Sequence, residues 1–238
     1  MPAAYRLRRI GRRLGTRIIA ATWLGCFAGH AAAAEWNGYA TLATDYIYRG
    51  ISLLDTGPSL QASVEGRFDP GFVAGAWGAN IDRQWVYQQH IGNSVEVNFF
   101  AGMDFDCGSR CRARVIVTRY TYPDSDASRW QEISGSVSYA GRVGASLSWS
   151  PEGLGTIKST RTLEGWFVQP VSRATSLELD GGRMWVGSRD YWFARAGISH
   201  RVDRWVVGLS HYWSDPTYRR FGIDDRSQRY VASLSTAF

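Results

Sequence analysis

Lysine is almost missing from this 238-residue chain: Lys158 stands alone beside 26 arginines. Acidic residues are missing altogether before Glu35, where Arg6, Arg8, Arg9, Arg12, Arg13 and Arg17 crowd together. Cysteine occurs only three times, and after Glu35 the longest runs free of Asp, Glu, Lys and Arg, such as residues 70–81, are 12 residues long. Each shortage excludes something. A membrane-spanning helix needs roughly 20 predominantly apolar residues, so none is expected after Glu35. Cys107 and Cys111, with no histidine nearby, offer too few ligands for zinc, and no metal or cofactor is expected.

The acid-free start has the three parts of a secretory signal peptide: an arginine-rich region, the apolar stretch of residues 18–27, and the small-residue run Ala31, Ala32, Ala33, Ala34. Cleavage is expected just before Glu35, dividing the chain into a leader (1–34) and one exported domain (35–238). Cys26 leaves with the leader. The Trp-Leu-Gly before it lacks the aliphatic residue of a lipoprotein cleavage box, which makes lipidation the lesser alternative. Without the leader, 21 basic residues face 21 acidic ones. The basic pI therefore carries no message about nucleic acid, and a balanced surface does not steer polyanions.

What the exported part does have is 11 Trp and 12 Tyr in the whole chain's count, 26 Gly, and a hydrophobic period of two. Tyr230, Ala232, Leu234, Thr236 and Phe238 fall on one face of an extended segment; Arg229, Val231, Ser233 and Ser235 fall on the other. Trp205, Val207, Leu209, His211 and Trp213 alternate with Val206, Gly208, Ser210 and Tyr212 in the same way. The pattern predicts about twelve strands: 38–49, 58–68, 71–81, 94–105, 111–121, 130–140, 142–150, 160–169, 174–185, 190–200, 204–214 and 228–238. Tight links at 69–70, 141, 170–173 and 201–203 contrast with longer ones at 50–57, 82–93, 122–129, 151–159 and 214–227. Short turns at one end and long loops at the other are how transmembrane barrels are built. The expectation is an all-β, antiparallel transmembrane barrel in the outer membrane, touching lipid with its apolar face, monomeric, and passing small solutes. A soluble β-sandwich is the competing reading of the same alternation.

At Thr44-Asp45-Tyr46-Ile47-Tyr48-Arg49-Gly50-Ile51-Ser52 and Pro58-Ser59-Leu60-Gln61 the chain resembles the TorF-type porin family of proteobacterial outer membranes. Residues 71–80, rich in glycine with Trp77, look like that family's glycine and tryptophan strand, Arg119-Tyr120-Thr121-Tyr122-Pro123 like its Tyr-Thr-Tyr-Pro segment, and Trp130-Gln131-Glu132 like its aromatic followed by Glu. The resemblance implies a barrel and a pore of unknown substrate.

If the apolar faces meet lipid, the opposite faces line the bore. They carry Asp45, Glu65, Glu96, Asp104, Glu132, Glu164, Glu178 and Asp180, together with Arg49, Arg67, Arg112, Arg114, Arg195 and Arg229. These are the candidate pore-lining residues, either paired across strands or simply solvated. Hairpin register is expected to bring Asp45 near Arg67 and Asp104 near Arg112. Cys107 and Cys111 are expected to form a disulfide closing a short turn in an oxidising compartment. Two other readings stand beside the channel. A lipid-acting barrel enzyme needs a Ser–His pair, but Ser210 and His211 lie on opposite faces and His90 sits in a long link, so no catalytic residue is expected. A structural or adhesive barrel would use loop residues such as Trp85, Tyr87, Gln88, Gln89 and Trp130.

Overall fold

The computed structural model describes residues 35–54, 57–81, 95–123, 129–155, 158–215 and 228–238. The leader expected at 1–34, the long link 82–93, residues 216–227 of the link expected at 214–227 and the residues Trp85, Tyr87, Gln88, Gln89 and His90 lie outside the described residues. Within them, twelve antiparallel strands close into a barrel. They are β1 (Glu35–Ala43), β4 (Ser59–Phe68), β5 (Phe72–Asn80), β6 (Val95–Asp106), β7 (Cys111–Thr121), β8 (Trp130–Tyr139), β9 (Val143–Ser150), β10 (Thr160–Pro170), β11 (Thr175–Val186), β12 (Arg189–Val202), β13 (Trp205–Ser214) and β14 (Gln228–Ala237). Between β1 and β4 lies a separate two-stranded hairpin, β2 (Ile47–Tyr48) and β3 (Ile51–Ser52).

Each barrel strand pairs with its sequence neighbours, and β1 closes the ring on β14. Gly38 and Phe238 complete the seam by exchanging backbone hydrogen bonds of 2.8 and 3.0 Å. A closed ring leaves no sheet edge, so every ladder group finds a partner on either side.

The alternation sorts the side chains as the period of two requires. Leu60, Leu147 and Tyr230 point outward and are 62%, 59% and 72% exposed. Many other large apolar residues share that outer wall, a distribution a soluble sandwich would bury in its core. Trp36, Phe68, Phe72, Phe105, Tyr139 and Trp205 gather outside at the short-turn end, with Trp36 edge-on to Phe68 at 6.0 Å. Trp149, Trp192 and Tyr230 lie outside toward the other end.

The first strand differs from its sequence-based extent. It ends at Ala43 rather than at residue 49, and residues 51–54 of the longer link expected at 50–57 form instead the far limb of a hairpin folded into the bore. Arg49 (φ 49°) and Gly50 (φ 83°) form its two-residue tip, the geometry in which both central residues take positive φ. Gly50 is required twice over: a Cβ there would stand 2.7 Å from that of Phe193 and 2.9 Å from that of Ser214.

Candidate functional site in the barrel interior

The hairpin gives the barrel an inner core. Tyr46, Tyr48, Ile51 and Leu53 are buried against Trp77, Tyr120, Tyr122, Trp130, Met184, Tyr191 and Phe193 from the walls, and Leu154 of the short turn Gly153–Gly155 tucks into the same cluster. Tyr120 and Trp130 stack at 3.6 Å, with Tyr48 edge-on to both. Trp130, expected in a surface loop, is therefore an inward wall residue of β8, and the bore at the long-loop end is filled by apolar packing. The strand bringing it there begins one residue later than that loop was expected to end.

Two ionic anchors hold the hairpin. Asp45 at its root accepts hydrogen bonds from its neighbour's Tyr46 N–H (2.7 Å) and from the Ser52 hydroxyl (2.8 Å), and Arg229 of β14 donates to its other oxygen at 3.0 Å. Arg49 at the tip crosses the bore. Its Nη1 and Nη2 donate to the two oxygens of Glu132 at 2.7 and 3.0 Å, its Nε to Glu164 at 3.1 Å, and its Nη2 also to Ser148 at 3.2 Å. Those acceptors sit on β8, β10 and β9, and β9 is six places from β1 in the twelve-stranded ring, directly opposite. Tyr48 lies beneath the guanidinium, 4.9 Å from ring centre to Cζ.

The other candidate residues fall into wall clusters. Arg114 donates to both oxygens of Glu65 (3.0 and 3.3 Å) and to Asp104 (2.7 Å), while Arg67 also pairs with Asp104. Arg195 holds Asp180 at 2.5 Å and Glu178 at 2.8 Å, and Ser199 donates to Glu178 at 2.9 Å. Glu96 accepts from Asn98 at 2.7 Å. Arg112 is at the short-turn rim, 3.6 Å from the exposed Asp106.

Two expected pairings are corrected. Asp45 meets Arg229, not Arg67, because the segment carrying Asp45 has already left the sheet, and Arg67 lies opposite Glu35 in the β1–β4 ladder. Asp104 meets Arg114 and Arg67 rather than Arg112. The turn closed by the Cys107–Cys111 disulfide pairs Cys107 N–H with Cys111 C=O at 3.1 Å, and that register places Asp104 opposite Arg114 and Asp106 opposite Arg112.

Beneath the hairpin the bore opens. A cavity of about 240 Å³ runs along β11–β14 toward the short-turn end, lined by small and hydroxyl residues such as Ser176, Ser199, Gly208, Ser233 and Ser235, with Asp45, Tyr46 and Ile47 above and Arg173 and Arg201 below. A second space of about 50 Å³ reaches Arg49 and Glu164, and shares Ile47, Arg195 and Tyr212 with the first. Of the enzyme candidates, Ser210 is inside and hydrogen-bonded to Arg195 at 3.3 Å, whereas His211 stacks on Tyr230 of the outer wall at 4.2 Å. The barrel keeps them apart.

Residues 28–166, more than half of the chain, match the model of a family described as "Bacterial protein of unknown function (Gcw_chp)". The motifs at 44–61, 71–80, 119–123 and 130–132 all fall within that span. No curated protein is significantly similar in sequence. Among 58 solved chains of similar fold, the KdgM porin matches with a TM-score of 0.53 at 10% identity, covering 85% of this chain and 99% of its own. The NanC porin matches with a TM-score of 0.54 at 6% identity, covering 86% and 99%. At such identities the likeness is one of fold.

Proposed function

The chain belongs to the Gcw_chp family, whose function is unknown, and from that premise we propose that it is a porin-like channel of the outer membrane for small solutes. In this reading residues 1–34 are a leader removed on export, the exported barrel is a monomer with lipid around its apolar wall, and the short turns face the periplasm. The TorF-type likeness of residues 44–52 belongs to the same proposal. The observation that carries it is the pairing of an apolar outer wall with an interior of charged and hydroxyl side chains that encloses a cavity of about 240 Å³. A barrel exposing that outer wall needs lipid, and open space within its polar bore is room for a solute that a completely filled interior would lack. The fold that it shares with the KdgM and NanC porins supports this reading.

The route runs from the short-turn mouth past Arg173 and Arg201 and along β11–β14, and then narrows under the hairpin. The hairpin is the resistance in that route. A non-conducting structural barrel is the second reading, and the filled upper bore favours it. Single-channel recording of the exported chain in planar bilayers separates them. Discrete conductance steps in the wild type, enlarged when residues 45–54 are replaced by a Gly-Ser link, support the channel. Silence from both proteins, folded by heat-modifiable gel mobility, overturns it in favour of the structural barrel.

A further inference from the structure

The acceptors that hold Arg49 all belong to the wall. Glu132, Ser148 and Glu164 stand on three consecutive strands, β8, β9 and β10, fixed by continuous ladders. The wall also aims the second carboxylate, since Ser146 donates to the free oxygen of Glu164 at 3.3 Å. This arrangement is made for a planar fork: two parallel N–H donors meet one carboxylate, a third meets the other carboxylate, and a hydroxyl takes a fourth contact. An ammonium, compact and without a plane, would leave part of that set unused.

Charge points the same way. Two carboxylates confront one guanidinium, and both members of the Arg49–Glu132 pair are nearly out of solvent, with side chains 2% and 6% exposed. Emptied of Arg49, the seat would hold two carboxylates in a poorly solvated bore, a state that demands a cation. Arg49 itself arrives on a loop joined to the barrel at residues 44 and 58, not on the wall. The space of about 50 Å³ beside Arg49 and Glu164 adjoins the larger cavity, giving the seat an approach from the short-turn end.

We infer that the β8–β9–β10 wall carries a binding site for guanidinium-bearing organic cations, which Arg49 occupies as an internal stand-in, and that such solutes compete with the hairpin for it. The opening it produces rests on the channel reading; the binding does not. Occupation by a solute frees the hairpin tip from its ionic seat, leaving the Asp45–Arg229 pair and the apolar packing of Tyr46, Tyr48, Ile51 and Leu53 to hold the hairpin.

Agmatine, which carries a guanidinium, is the probe; cadaverine, which carries only ammonium groups, is the comparison. Ile51, on the hairpin's own second strand and buried at 1% exposure against the wall, gives a reporter that keeps the latch intact. In an Ile51→Cys protein, agmatine should speed thiol labelling, and cadaverine should need about tenfold more to match it, the scale of one lost charge-assisted hydrogen bond. No acceleration, or equal potency of the two cations, overturns the site. In an Arg49→Ala protein, agmatine should raise the melting temperature, and adding Glu132→Gln should abolish that shift; a shift that survives Glu132→Gln also overturns it. Bilayer recording then isolates the other claim. If agmatine passes the labelling test but neither the wild type nor Arg49→Ala conducts, the site stands and the channel reading falls.

Discussion

The bore contains two arginine–carboxylate networks built from the same groups, and they serve different ends. Around Arg114, Glu65, Asp104 and Arg67 come from strands that neighbour or nearly neighbour one another, β4, β6 and β7. Around Arg49, the carboxylates come from one side of the ring, β8 and β10, and Arg49 itself rides on a loop rooted at the opposite side. The first network ties wall to wall and cannot part unless strands do. The second ties a loop to the wall and can part while every ladder stays formed. Identical chemistry is thus mortar in one place and a latch in the other, and only topology separates the two roles.

Removing the shared acid of the wall network should do the most harm to the fold. Asp104→Ala leaves Arg67 and Arg114 without their common partner, and a loss of about 3–5 kcal/mol in urea-unfolding stability is expected. Arg67→Glu should act in the same direction by adding an acid beside Asp104, so it should lower stability rather than merely alter ion selectivity; unchanged unfolding with altered reversal potential would show that the wall network is not mortar. A charge on the outer wall gives an independent scale: Leu209→Arg should cost about 2–4 kcal/mol of folding into lipid, falling if its depth is not near the midplane. Replacing both Cys107 and Cys111 by Ser should cost at most about 2 kcal/mol, because the loop they close is so short. Replacement of residues 45–54 by a Gly-Ser link removes buried apolar packing and the partner of Glu132 and Glu164, so it should lower unfolding stability while preserving heat-modifiable mobility, because every ladder of the ring stays formed. If that variant no longer folds, the latch is part of the wall after all.

Much of this was legible in the sequence because a barrel strand has only two faces. Tyr230 and Leu234 outside, Arg229 and Ser233 inside, follow from parity alone, and the disulfide follows from two cysteines in a short exported turn. Register was less legible. It depends on how each turn closes, and a shift of two residues moves Asp104 from Arg112 to Arg114 without disturbing parity. The hairpin was hidden for a related reason: Ile47 and Tyr48 continue the alternation of β1, so the break at residue 44 has no periodic signature. A signal was present nonetheless. Tyr46-Ile47-Tyr48 and Ile51-Ser52-Leu53 flank a two-residue link ending in glycine, the pattern of a tight hairpin. That its tip would seek Glu132 and Glu164 across the bore is a property of the closed ring, not of any local stretch.

The anchors of that hairpin also carry information about assembly. Asp45 bonds to Arg229 on the last strand, a contact that exists only once the seam between β1 and β14 has zipped, while Arg49 bonds to the strands that face that seam from the far side. A sheet that is still open can offer one of these contacts but not both. The hairpin therefore reads out completion: seated with both anchors made, it certifies that the first and last strands have met.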